Sequence, residues 1–199
     1  MPPVGGSPRT ASLPLLRLRP TLLSDLDWVA TVELDPHNLP FITPWERTQH
    51  ESAVRFPDFR HFIVETDAPG AGEGGRAGFV ILQGCRNPHR SVELKRLVLS
   101  LHGQGLGRRC VQLLKRMAFS ELGAHRFWLD VKALNTRALK LYATEGFVEE
   151  GRLRESVRVL PVPSGTPLSH ADGYDSLVVM SLLDREYQAR VALALEAGG

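Results

Sequence analysis

Ser91-Val-Glu-Leu-Lys-Arg-Leu-Val-Leu-Ser100, followed by His102-Gly-Gln-Gly-Leu-Gly-Arg-Arg109, reads as strand, glycine turn and helix. Val92 to Ser100 is short and rich in Val and Leu, which favours a strand. Gly103, Gly105 and Gly107 punctuate the chain, and Leu106, Cys110, Leu113, Leu114, Met117, Ala118 and Leu122 then recur at helical spacing along one apolar face. Gly123 stands where a left-handed cap would end that helix. Backbone N–H groups at a helix N-terminus are unpaired and carry roughly half a positive charge, so this turn is suited to a phosphate. Arg108 and Arg109 add charge at the same end.

The glycines fit neither nucleotide motif. A P-loop needs Lys-Ser or Lys-Thr after its last glycine, where Arg108-Arg109 stands, and Gly103, Gly105 and Gly107 miss the dinucleotide spacing. Downstream, His125 to Val131 alternates, with Phe127, Leu129 and Val131 on one face and Trp128 and Asp130 on the other, as a strand does. In Asn135-Thr-Arg-Ala-Leu-Lys-Leu-Tyr-Ala-Thr-Glu-Gly-Phe147, Asn135 is a good N-cap and Gly146 a good terminator. Tyr142, about two turns after Asn135, shares its helix face.

These two motifs together, His102 to Gly107 and Asn135-x-x-Ala138-x-x-x-Tyr142-x-x-x-Gly146-Phe147, resemble the acetyl-CoA-binding core of the GNAT N-acetyltransferase superfamily. Arg96-Leu-Val-Leu, Ala118-Phe119, His125 to Asp130 and Glu149 to Glu155 resemble its RimJ/RimL branch, which acetylates protein N-terminal amines. The resemblance implies an α/β (α+β) GNAT-type acyl-CoA acyltransferase fold, a mixed, mostly antiparallel sheet of about seven strands flanked by helices. It implies acetyl transfer from acetyl-CoA to a primary amine, most simply a protein N-terminal α-amine. An α-amine is about 2.5 pKa units more acidic than a lysine ammonium, roughly 3.5 kcal/mol easier to present as the neutral nucleophile. A small amine (polyamine, amino sugar or antibiotic) and a non-catalytic coenzyme A-binding module are the alternatives.

By the same resemblance, the cofactor lies against Leu97, Val98, Leu99, His102, Gly103, Gln104, Gly105, Leu106, Gly107, Arg108, Asn135, Arg137 and Tyr142. An amide near Val98 or Leu99 is the oxyanion donor. Tyr142 is the general acid for the departing thiolate, and Glu93 and Asp130 are the candidate bases. No metal is expected.

Composition sets outer bounds. The 199 residues suit one domain, expected over 13–199 behind a disordered Pro/Gly/Ser-rich tail at 1–12. Hydrophobic content is 43% and charged content 23%, ordinary for a globular protein. A net charge of +2 gives no case for nucleic acid or a membrane surface, and there is no long apolar run or signal core. Cys85 and Cys110 are too few for a disulfide scaffold. A cytoplasmic monomer or homodimer is expected.

Taking the chain in order, Leu13 to Arg19 reads as a strand and Ser24 as the cap of a helix to Leu34 with Leu26, Val29 and Ala30 inward. Pro36, Pro40 and Pro44 make 35–45 an irregular loop, with Trp28, Phe41 and Trp45 as candidate pocket walls and a short helix near Gln49 to Phe56. Strands follow at Arg60 to Thr66 and Arg76 to Gly84. After Phe147 an alternating strand sets Leu153, Val157 and Val159 against Arg152, Arg154 and Arg158. A loop over Leu160 to Gly173, a strand over Tyr174 to Leu183 and a helix capped by Asp184 complete the chain.

Overall fold

The structure, a computed structural model, describes residues 14–159 and 173–197. The tail expected at 1–12 and nearly all of the loop expected over Leu160 to Gly173 lie outside these residues. The strands are β1 (Leu16–Pro20), β2 (Arg60–Thr66), β3 (Arg76–Gln83), β4 (Ser91–Leu99), β5 (Arg126–Lys132), β6 (Val148–Arg158) and β7 (Tyr174–Leu183). The helices are α1 (Leu26–Glu33), α2 (Arg47–Arg55), α3 (Leu106–Arg116), α4 (Thr136–Thr144) and α5 (Asp184–Glu196). All seven strands form one sheet in the order β1-β2-β3-β4-β5-β7-β6. Every neighbouring pair is antiparallel except β4 with β5.

Strand alternation divides the core between the two faces of the sheet. On one face Val80, Leu82, Val92 and Leu94 pack with Leu106, Cys110, Val111 and Leu114 of α3 and Tyr142 of α4. On the other, Ile63, Phe79, Ile81 and Val98 pack with Val29 and Val32 of α1. Phe127 is fully buried, ringed by Phe119 and Phe147.

Two features of the sheet make room for a site. The parallel pairing of β4 and β5 stops after three rungs, Ser91 with Arg126 to Glu93 with Trp128, while β5 stays paired with β7 as far as Lys132. β4 stays paired with β3 as far as Leu99, with a register break between Ile81 and Leu82 that leaves Lys95 as the extra residue. Each half of the sheet keeps its own partner, so the two halves part beyond Glu93.

Several local expectations need correction. Ser24 caps nothing: a single 3-10 turn, Leu23–Asp25, precedes α1, and the Asp25 carboxylate accepts the Leu22 N–H at 2.8 Å. The helix from Leu106 does not run unbroken to Leu122. After Arg116 it widens into a π turn, Met117–Glu121, closed by the Leu122 N–H on Met117 O, before Gly123 turns at φ 62°. The alternation in β6 does not translate into burial. β6 is the edge of the sheet, and Leu153 is 53% exposed. Asp184 is the first residue of α5 rather than its cap, and the Glu186 carboxylate accepts the Leu183 N–H.

A carboxylate pair ties β1 to β2. Glu65 accepts from Arg17 Nε at 2.5 Å and Arg19 Nε at 2.7 Å, and Asp25 accepts from Arg19 Nη1 at 2.9 Å. Burial would raise both carboxyl pKa values, but the arginines hold them below the usual range. A depressed folded-state pKa stabilises the fold above the unfolded-state value, about 4 for these groups, and that gain is lost as pH falls through the folded value. In thermal melts across pH, Glu65→Gln is therefore expected to melt below the parent at pH 7. The gap should close below about pH 4. A gap that stays constant into acid would show that Glu65 acts through packing instead.

Candidate active site

Where β4 and β5 part, a cleft of about 790 Å³ opens. Leu94 to Leu99 of β4 and Asp130 to Lys132 of β5 form its sides. The turn before α3 and the start of α4 form one end, which the His37 end of the loop from His37 to Trp45 also reaches, and Phe41 to Trp45 of that loop form the other, beside Arg96 and Lys132.

The α3 end is built by backbone. Gly103 and Gly105 turn at φ 79° and 71°, left-handed values that favour glycine, and a Cβ at either would meet nothing within 4 Å. The first intrahelical bond runs from the Arg109 N–H to Gly105 O, which leaves the N–H groups of Leu106, Gly107 and Arg108 without helical partners. At Gly107 a Cβ would sit 3.4 Å from Leu141 Cδ2, an ordinary packing contact between α3 and α4. The Arg108 Nε lies 3.1 Å from Glu145 Oε1, and Lys115 Nζ lies 2.7 Å from Glu145 Oε2, a pair that locks α3 to the end of α4. Arg137 lines the cleft as well and makes no ion pair among the described residues. His102 sits beside His37, ring centroids 6.2 Å apart, and burial together with Arg137 lowers its pKa.

The side of the cleft formed by β4 has free donors. The Ser100 N–H bonds Ala77 O, so alternation along an antiparallel pair turns the Val98 N–H toward β3 and those of Leu97 and Leu99 toward the opening. Of the two amides considered from sequence, Leu99 faces the cleft and Val98 does not. Leu97 joins it.

Asn135 caps α4 as expected, its Oδ1 accepting the Ala138 N–H at 3.1 Å. Two turns on, Tyr142 lines the cleft at 8% exposure, edge-on to Phe147. Burial raises its hydroxyl pKa well above the ordinary tyrosine value, so the group stays protonated throughout the neutral range.

Not every residue read from sequence reaches the cleft. Gln104 points away, its amide donating to Pro69 O at 3.2 Å. Glu93 sits on the last β4–β5 rung, below the opening, buried and 3.0 Å from Lys95 Nζ. Burial raises its pKa, with Asp130 adding to the rise and Lys95 opposing it. Asp130, two residues beyond Trp128, the last residue paired with β4, is exposed, lines the cleft and makes no ion pair among the described residues. Phe41 and Trp45 are walls, whereas Trp28, on α1, packs against the core beside Val29 with Arg76 over its ring. Sequence reading missed Lys132, and it missed Glu33, fully buried on α1. The spacing Leu26, Val29, Glu33 sets that carboxylate on the apolar face of α1 and was the available signal.

Main-chain donors at a helix start, a strand with open amides and a buried protonated hydroxyl are the parts that acetyl transfer from a thioester requires. The family model described as "Acetyltransferase (GNAT) family" matches residues 25–147. The chain belongs to the GNAT acetyltransferase family. Among similar proteins, the spermidine N(1)-acetyltransferase of Escherichia coli (strain K12) is 28% identical over 149 residues, 69% of this chain and 75% of that protein. The Vibrio cholerae spermidine N(1)-acetyltransferase is 35% identical over 97 residues, 48% of this chain and 53% of that protein. A crystal structure of the Vibrio cholerae spermidine N-acetyltransferase in complex with CoA and spermine superposes with a TM-score of 0.71 at 23% identity, covering 87% of this chain and 98% of that one. A dodecameric structure of the Vibrio cholerae enzyme superposes with a TM-score of 0.69 at 24% identity, covering 88% of this chain and 97% of that one. This GNAT protein is an acetyl-CoA-dependent N-acetyltransferase with the seven-stranded sheet of its family. Among the described residues no helix is long and apolar enough to cross a membrane, and no cluster of His, Cys, Asp and Glu could hold a metal.

Proposed function

We propose that this chain, read as one acetyltransferase domain over 13–199, acetylates a primary amine of a small polyamine. The observation that carries this reading is the charge state of the loop end of the cleft. Lys95 is paired with Glu93, Arg96 with Glu33, and Lys132 Nζ donates to the carbonyls of Pro40 and Ile42. Lys95 and Arg96 are thus held in ion pairs and Lys132 on carbonyls, and Asp130 is the carboxylate that lines the cleft without an ion pair among the described residues. An unpaired carboxylate suits an ammonium. The relatives named above, spermidine acetyltransferases, support the same acceptor class over the ribosomal-protein N-terminus that the RimJ/RimL resemblance suggested. The dodecamer among the similar structures supports an assembly larger than the expected monomer or homodimer.

Acetyl-CoA, when bound, supplies an acetyl group activated as a thioester. The amides from Gly103 to Arg108 are suited to its pyrophosphate, with Asn135 and Arg137 beside them. The Leu97 and Leu99 N–H groups polarise the thioester carbonyl. Asp130 receives the acceptor ammonium and, through water, takes the proton that must leave before nitrogen can attack, with Glu93 behind it. Tyr142 donates its hydroxyl hydrogen to the departing sulfur. A polyamine ammonium titrates near the lysine value, about 10.4, so kcat/KM for the amine is expected to climb from pH 6 to 9.

Thiol release with spermidine, spermine, N-terminal peptides, lysine peptides and aminoglycosides tests the acceptor. Polyamines should be turned over fastest. Preferential turnover of N-terminal peptides would restore the α-amine reading, and binding of acetyl-CoA without thiol release from any amine would favour a non-catalytic module. Asp130→Asn is expected to lower kcat/KM for spermidine about 100-fold across this pH range. An unchanged kcat/KM would remove Asp130 from the reaction.

A further inference from the structure

The loop that closes the acceptor end cannot hold itself up. Pro40 and Pro44 have no N–H, and from Ile42 to Trp45 no backbone-to-backbone hydrogen bond is found among the described residues. Its polar groups are met by side chains instead. Lys132 Nζ, at the end of β5, donates to Pro40 O at 3.0 Å and Ile42 O at 3.4 Å. Arg96, on β4, donates from Nη2 to Thr43 O and lays its guanidinium over the Trp45 ring, 5.1 Å from the centroid. Glu33, on α1, accepts the Trp45 N–H at 2.8 Å.

The three side chains sit on the two strands that part and on the helix beneath them. Lys132 is 4% exposed and Glu33 fully buried. Glu33 Oε1 lies 3.2 Å from Arg96 Nε without hydrogen-bond geometry, so that contact is a charge pair. Its other oxygen lies 3.3 Å from His50 Nε2. Behind it, His50 Nδ1 is 3.1 Å from His61 Nε2, and His61 Nδ1 is 2.8 Å from Thr21 Oγ1. This buried row fixes the Glu33 rotamer from α2, β2 and the end of β1. It is not a proton path to the cleft, because the group at its cleft end is a guanidinium, which does not give up its proton.

We propose that Glu33, Arg96 and Lys132 are positioning residues of the acceptor site, a buried clamp that hangs the loop Pro40 to Trp45 from the parting strands. Acceptor affinity depends on this clamp and acetyl-CoA affinity does not. The clamp touches the loop end of the cleft, and the amides suited to the cofactor lie at the α3 end. The proposal rests on the reading that the amine enters at the loop end.

Removing one partner would strand a buried charge, so the principal test removes two. In the double variant Glu33→Leu with Arg96→Met, hydrogen exchange at the Trp45 amide should accelerate about 100-fold in the full-length protein. With the amine turned over fastest in the panel, KM for the amine should rise at least about tenfold while the acetyl-CoA dissociation constant stays within about twofold. Arg96→Lys keeps the charge but not the reach to Thr43 O, and should raise amine KM alone. Unchanged exchange at Trp45 overturns the clamp. So does faster exchange with unchanged amine KM, or a parallel loss of acetyl-CoA affinity. The exchange measurement needs no amine, so failure of every amine in the panel would overturn the proposed acceptor class while leaving the clamp to be decided by exchange.

Discussion

Tyr142→Phe is expected to lower kcat about 100- to 1,000-fold while leaving acetyl-CoA affinity within about twofold. The ring is buried against Phe147 in the core between α3, α4 and the sheet, and phenylalanine preserves that packing. What the variant loses is one hydroxyl on the cleft wall. That hydroxyl forms no hydrogen bond to another residue in the described structure, so its removal leaves no partner unsatisfied. Its useful interaction is made only as charge gathers on the departing sulfur, which is why kcat and kcat/KM should fall together. Because burial raises its pKa, loss of the Tyr142 proton should cause no alkaline decline in kcat below about pH 10. Pre-steady-state thiol release and equilibrium binding separate the two quantities. A variant with wild-type kcat would take Tyr142 out of the chemistry and leave it a packed aromatic residue.

Gly78→Ala should have the largest effect on stability. Gly78 lies opposite Leu99 on the β3–β4 ladder. A Cβ there would stand 2.3 Å from Val98 O and 2.9 Å from Leu99 Cα, both main-chain atoms. Neither can rotate away, so β4 itself must shift. The expected cost is about 3 kcal/mol. For a chain of this length that lowers the melting temperature by roughly 6–12 °C. The displaced segment carries the Leu97 and Leu99 amides, so kcat should fall as well, in the surviving folded fraction. Calorimetry with activity measured well below the melting point distinguishes the two effects. A melting temperature equal to the parent's would mean that β4 yields at this point without loss.

The same contrast, between what a short segment settles and what the assembled sheet settles, runs through the whole site. Asn135 caps α4 because its own side chain reaches an amide three residues on, and Gly103 and Gly105 turn because a missing Cβ permits positive φ. The alternation from Phe127 to Val131 faces the core as written, since Phe127, Leu129 and Val131 join the cluster that α3 and α4 pack against. These features depend on neighbours in sequence, and with the resemblance to the family core they made the fold and the α3 end of the cleft legible in the sequence.

The loop end was not legible. Glu93 and Asp130 look alike in sequence, each an acid in an apolar strand. Only the point at which β4 and β5 stop pairing puts Asp130 in the opening and Glu93 beneath it. Leu99 rather than Val98 offers its amide because the ladder with β3 consumes alternate N–H groups, and Gln104 turns outward to a carbonyl of the β2–β3 connection. Leu153 and Val157 alternate like core residues, yet β6 has a neighbour on one side only. Glu33, Arg96 and Lys132, separated by 63 and 36 positions in the chain, converge on one proline-rich loop. Sequence by itself determined the local elements, through steric and hydrogen-bonding preferences that act within a few residues. The tertiary structure alone decided which charges are paired and which line the cleft, because burial and pairing are set by segments distant in the chain.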